Sequence, residues 1–145
     1  MKKLIFILSG MLVLNGCSPL IPSDVELQAS KILSTPCMGL FKDPGYQKRS
    51  KDVLTPNPIL AVSLGKDGNT EIIACGMMAA NASTNFNLSG ALVRCENGRE
   101  TTMIDRPKSV MQPCEVYAEG NDIIFRTPRA TELLERLKEA NKPPQ

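Results

Sequence analysis

Apolar positions recur at helical spacing most clearly near the two ends of the chain. Val25, Ala29, Ile32 and Leu33 stand at i, i+4, i+7 and i+8, one face of a helix. Ser23 precedes that face and Glu26 lies three residues on, a capping box in which hydroxyl and carboxylate each accept from the other's backbone amide. Pro36, which cannot continue a helix, sets its end. Ala130, Leu133, Leu134, Leu137 and Ala140 form the second stripe. Thr127 is placed to cap that helix and Pro128 suits its first position, while Glu132 and Arg136 pair on the wet side. Residues 37–57 read as irregular: Asp43-Pro44-Gly45 is a turn signal, and Pro56 and Pro58 discourage regular structure.

The middle of the chain reads as strands joined by tight turns. Segments 59–64 and 70–75 flank Asp67-Gly68, segments 91–96 and 99–104 flank Asn97-Gly98, and segments 114–118 and 122–127 flank Gly120-Asn121. Asn-Gly and Asp-Gly accept the positive φ angles of two-residue hairpin turns, so each pair of segments is expected to form a hairpin. The expected fold is α+β: an N-terminal helix, about six antiparallel strands as three hairpins, and a C-terminal helix, in one domain over 23–142 with a short tail at 143–145. The turns set the register. Leu60 is expected opposite Cys75, Val62 opposite Ile73, Val93 opposite Thr102, Val116 opposite Phe125 and Ala118 opposite Ile123.

Five cysteines are present and no histidine. Cys37, Cys75, Cys95 and Cys114 have no Cys-x-x-Cys spacing, which disfavours zinc and thioredoxin-like chemistry. Two disulfides are the expectation, with three connectivities open. A simple meander brings Cys75 and Cys114 to the same end of the sheet, which favours Cys75–Cys114 with Cys37–Cys95.

The fifth cysteine directly follows a leader-like segment. Lys2 and Lys3 precede a short apolar run, 4–14, and then Asn15-Gly16-Cys17. That run is too short to span a bilayer, which takes about 20 residues, but suits a signal peptide. Leu14-Asn15-Gly16-Cys17 resembles the lipobox of bacterial lipoproteins, although Asn15 is an unusual occupant of its position. The resemblance implies a signal at 1–16, diacylglycerylation of Cys17, and a tether over 17–22 stiffened by Pro19 and Pro22. Ser18 after the modified residue implies the outer membrane, periplasmic face. Two acyl chains make such anchoring stable where one would not.

Charge narrows the partners. Of the 17 Lys and Arg, Lys2 and Lys3 lie in the leader, so the remainder balances the 15 Asp and Glu. A neutral chain argues against nucleic acid and against overall electrostatic adhesion to lipid. The basic run Lys48-Arg49-Ser50-Lys51 reads as a solvated loop, with contact to lipid headgroups or acidic polymers as its alternative. Without histidine there is no Ser-His-Asp or Cys-His arrangement, and Ser63-Leu64-Gly65-Lys66 leads into a turn rather than opening a helix. No cofactor or metal is expected.

The expected register also puts apolar residues on both sheet faces. Leu92, Met103, Tyr117 and Ile124 would lie together on the outward face, covered by a helix or by another molecule, and Met77 and Met78 on a loop form a second contact candidate. The expected function is a lipid-anchored, non-enzymatic envelope binding protein, an accessory or pilotin-like factor of a secretion or pilus system with a protein partner in the envelope. The alternative is an inhibitor or immunity protein against a cell-wall-degrading enzyme.

Overall fold

The computed structural model describes residues 23–34, 37–66, 72–107 and 109–144. The leader, Cys17 with its tether, Pro36 and the Asp67-Gly68 turn lie outside them. The chain is a mixed helix-and-sheet structure in three layers. Helices α1 (Asp24–Leu33), α2 (Cys37–Phe41) and α3 (Pro44–Ser50) lie on one face of a four-stranded antiparallel sheet. Helices α4 (Thr84–Asp105) and α5 (Pro128–Ala140) cover the other. The strands β1 (Ile59–Leu64), β2 (Ile73–Met78), β3 (Glu115–Glu119) and β4 (Asp122–Ile123) are ordered β2-β1-β3-β4.

The ends follow their sequence signals. Ser23 and Glu26 close the capping box at α1. Pro128 sits in the first turn of α5 and Glu132 pairs with Arg136 at 3.7 Å. The Thr127 hydroxyl donates to the Ile124 carbonyl instead of capping. Residues 37–57, expected to be irregular, carry α2 and α3. Asp43 is the N-cap of α3, its carboxylate accepting from the amides of Gly45 and Tyr46, and Pro44 takes the first helical position. The Asp-Pro-Gly signal thus starts a helix, because proline's fixed φ suits that position.

The largest correction concerns the middle hairpin. Segments 91–96 and 99–104 are one helix, α4, 22 residues long. Ser83 caps it by accepting from the Phe86 amide. Asn87, Leu88, Ala91 and Cys95 are buried along it, at helical spacing. Asn97-Gly98 therefore lies inside a helix, at a cost of roughly 1 kcal/mol for the glycine. The helix is favoured by the burial of Leu88, Ala91 and Cys95 against the sheet; at Gly98 itself an added Cβ would meet Ala74 at 3.6 Å, an ordinary contact, so the position does not require glycine. Among the described residues the strands number four, not the expected six.

The first hairpin pairs two residues away from the expected register, Val62 opposite Cys75 and Leu64 opposite Ile73. A shift of two preserves the faces, so Leu60, Val62 and Leu64 still share a face with Ile73, Cys75 and Met77, against α1–α3. The last hairpin has the expected register at Ala118–Ile123, but pairing stops there. Gly120, at φ +59°, supplies the turn. Ile124 then joins the core on one face of the sheet and Phe125 the core on the other, and Arg126, at φ +56°, follows them just before α5.

A bulge explains the faces of β3. Leu60 pairs with Ala118 but Ala61 pairs with Val116, so Tyr117 is the extra residue. Val116 consequently points toward α4 and α5, with Ile59 and Ala61, while Tyr117 and Ala118 both join the core under α1–α3. β1 is buried along its whole length.

The disulfides join neighbours in sequence. Cys37 of α2 pairs with Cys75 of β2, and Cys95 of α4 pairs with Cys114 just before β3. This overturns the expected Cys75–Cys114 and Cys37–Cys95 pairs, because Cys95 lies on a helix and the meander that motivated them does not exist. Each bond ties a helical layer to the sheet or to the segment entering it.

Candidate functional site

The proposed outward patch is not assembled. Tyr117 is 1% exposed, its ring against Phe41 and Phe125 and its hydroxyl donating to the Ala29 carbonyl at 3.0 Å. Ile124 is buried in the opposite core. Leu92 and Met103 belong to α4, and Leu92 packs toward the sheet. Met77 and Met78 end β2 rather than forming a loop, and they pack against different cores. Both faces of the sheet are covered by helices of this chain.

The surface that remains begins at α3. Tyr46, fully buried, anchors that helix by donating its hydroxyl to the Gly120 carbonyl at 2.7 Å. Gln47 donates to the Phe41 carbonyl and so fixes α3 against α2. Lys48 and Arg49 occupy the last turn, where cations suit the helix dipole, and Lys51 follows as the C-cap. The chain then turns tightly. The Asp52 carboxylate accepts from the Leu54 amide at 3.0 Å, and the Thr55 hydroxyl donates to the Asp52 carbonyl at 3.4 Å. These bonds hold Val53 and Leu54 at the tip, 95% and 90% exposed.

Beside the tip lies a cleft of about 550 Å³, lined by Lys48, Arg49, Lys51, Asp52, Thr55 and Asn81 among others. Among the described residues no carboxylate comes within ion-pair distance of Lys48, Arg49 or Lys51. Elsewhere Arg126 forks onto Glu115 at 2.9 and 2.7 Å and stacks over Phe125, and Arg129 forks onto Glu119. The α3–β1 corner therefore gathers three cations within four residues, none of them in an ion pair among the described residues.

A second exposed feature follows α4. Phe86, Val93 and Ile104 are 51%, 56% and 77% exposed, and their spacings of seven and eleven residues place them on one side of the helix. The reading of 91–104 as two strands concealed this stripe. The basic run at Lys48–Lys51 was visible in sequence; the apolar tip beside it was not, since Val53-Leu54 has no periodic context.

The titration shifts follow burial and hydrogen bonding. Burial pushes the Tyr117 hydroxyl up to about 12, and burial, with Glu119 nearby, pushes Tyr46 up further. Partial burial pushes the Glu96 carboxyl up, but the Cys114 amide and the Arg99 guanidinium outweigh it and hold the group below its ordinary value. Glu96 thereby supports the Cys95–Cys114 bridge from the adjacent residue. Among the described residues there is no group of three or more Cys, Asp or Glu side chains placed to hold a metal, and no helix long and apolar enough to cross a membrane. No protein-family model, curated protein or solved structure matches this chain.

Proposed function

We propose that this chain is a lipid-anchored, non-enzymatic binding protein of the bacterial envelope, an accessory or pilotin-like factor that engages a protein partner at the periplasmic face of the outer membrane. The observation that carries the reading is the disulfide framework taken with the leader. Cys37–Cys75 and Cys95–Cys114 brace the two sides of the sheet. Such pairs persist in oxidising compartments, the destination that the lipobox-like Leu14-Asn15-Gly16-Cys17 implies. The scaffold supports binding work: each sheet face is sealed by helices, leaving the surface loops and outer helix faces to meet other molecules.

Metabolic labelling with a palmitate analogue and membrane fractionation test the anchor. Wild-type protein incorporates label and fractionates with the outer membrane; Cys17→Ser loses the label and is released. A variant that keeps its membrane fractionation refutes lipidation as the cause of attachment. Affinity capture from envelope extracts, with the disulfides intact, tests the binding role: recovery of one stoichiometric envelope protein supports it, and turnover of a cell-wall substrate by the purified protein overturns the non-enzymatic reading.

A further inference from the structure

We infer that the α3–β1 corner is a membrane-docking element: Val53 and Leu54 enter the interfacial region of an anionic lipid surface while Lys48, Arg49 and Lys51 contact its headgroups. Single exposed apolar residues are ordinary on protein surfaces. Here two adjacent ones are exposed almost completely, and they are held there by the Asp52–Leu54 and Thr55–Asp52 hydrogen bonds rather than folded back onto the domain. Three cations lie within five residues of that tip, with no ion-pair partner among the described residues.

The two halves of this arrangement match the two halves of a lipid interface. Aliphatic side chains gain by leaving water for the acyl boundary, and long basic side chains lay their stems along it while keeping their charges among phosphates. Opposite charge selects the occupant: an anionic surface attracts each Lys or Arg that comes near it, whereas an uncharged apolar groove would leave three cations desolvated. The cleft, where Lys48, Arg49 and Lys51 outnumber the one lining carboxylate, Asp52, itself engaged with the Leu54 amide, gives a headgroup room beside the tip. A near-neutral chain lacks attraction as a whole, so the charge acts locally and sets orientation. The inference rests on the lipid-anchored reading for the nearness of the membrane.

The chain contains no tryptophan, so Leu54→Trp introduces a unique fluorophore at an exposed position. The acylated full-length protein is reconstituted in phosphatidylglycerol-containing vesicles and, separately, in phosphatidylcholine vesicles. Flotation reports the anchor; tryptophan emission and quenching by brominated lipid report docking. Docking predicts a blue shift and quenching in the anionic vesicles, both lost in high salt. Adding Lys48→Glu and Lys51→Glu, at exposed sites without ion pairs, lowers the docking equilibrium roughly twenty-fold or more. Ile104→Trp, roughly 30 Å along α4 from the end nearest the cleft, stays in water.

Protein that fails to float overturns the lipid anchor. Protein that floats while Leu54→Trp stays water-exposed overturns the docking inference alone. Equal shifts for Leu54→Trp and Ile104→Trp, or a Leu54→Trp response to a soluble acidic polymer that exceeds the response to anionic vesicles, overturn it as well.

Discussion

Gly76 sits where β2 passes under α4, and replacing it with alanine should be among the most damaging single-methyl changes available to this fold. Its φ is not positive, so the glycine is there for space. A Cβ at this position would lie 2.8 Å from the Arg94 carbonyl carbon and closer still to the Cys95 nitrogen and the Ala91 carbonyl oxygen. All three are backbone atoms of a helix, so no side-chain rotation makes room. α4 must retreat by roughly 1 Å, and a gap of that size forfeits a quarter to a half of the dispersion attraction at each separated contact. The retreat is opposed at Cys95, which is bonded to Cys114, and it unseats Leu88 and Ala91, both fully buried. Overpacking ordinarily costs about 1–3 kcal/mol. With the helix backbone as the obstacle we expect about 3–5 kcal/mol, a large part of a stability of about 5–15 kcal/mol. Equilibrium urea unfolding with the disulfides intact measures it. A loss below about 0.5 kcal/mol would refute the close approach of helix and strand. So would rescue by Ala91→Gly, because the obstructing atom at that residue is its main-chain oxygen and not its side chain.

Four further outcomes are expected. Tyr117→Ala should destabilise the domain by about 3–5 kcal/mol in thermal or urea unfolding, since it empties a core site and leaves the Ala29 carbonyl without its donor; an unchanged melting temperature would return Tyr117 to the surface. Thiol-alkylating mass tags should find no free thiol among Cys37, Cys75, Cys95 and Cys114 in oxidised protein, and non-reducing peptide mapping should recover Cys37–Cys75 and Cys95–Cys114; chain-entropy arguments assign these bonds roughly 4 and 3 kcal/mol. Stability should fall as pH rises from about 10 toward 12: a tyrosine whose folded pKa is raised contributes fully below its unfolded value, and that contribution is lost as pH climbs to the folded one. Chemical-denaturant midpoints across that range should flatten in Tyr117→Phe, and an identical pH profile would contradict the buried hydroxyl. Asn87→Ala removes the acceptor for the Ala80 amide and the donor to the Asn57 and Ala80 carbonyls, for an expected loss of about 2–4 kcal/mol by urea unfolding, with a loss under 1 kcal/mol counting against that network.

How far the chain could be read without coordinates depended on whether a local signal had a competitor. Ser23 with Glu26, and Pro128 ahead of its leucine stripe, were unopposed and gave both terminal helices. In β1 and β2 the register was off by two residues, and because side chains alternate with a period of two, that error left every face correct. Asn97-Gly98 misled because a turn dipeptide is a local preference, whereas the spacing of Leu88, Ala91 and Cys95 is a tertiary one, and burial against β2 decided the outcome. The bulge at Tyr117 has no sequence marker and decides which of the two cores the ring joins; Tyr117 is a core and not a contact residue because helices of this chain cover both sheet faces. At the candidate site, Lys48, Arg49 and Lys51 were legible as charge, but an apolar Val53-Leu54 pair reads as easily as a buried one, and its exposure shows only in the fold.

The order of the cysteine bonds carries a consequence for biogenesis. Cys37 pairs with the next cysteine of the folded region, Cys75, and Cys95 with the next after that, Cys114, so the two loops neither interleave nor enclose one another. A chain threaded N-terminus first into an oxidising space exposes Cys37 and Cys75 before Cys95 appears. With Cys17 taken up by lipid and the chain exported as proposed, an oxidant that joins the remaining thiols in their order of emergence makes the native pairs directly, and thiol–disulfide exchange has no crossed intermediate to undo. Maturation of this protein should consequently depend on a disulfide-forming catalyst and be indifferent to loss of a disulfide-isomerising one.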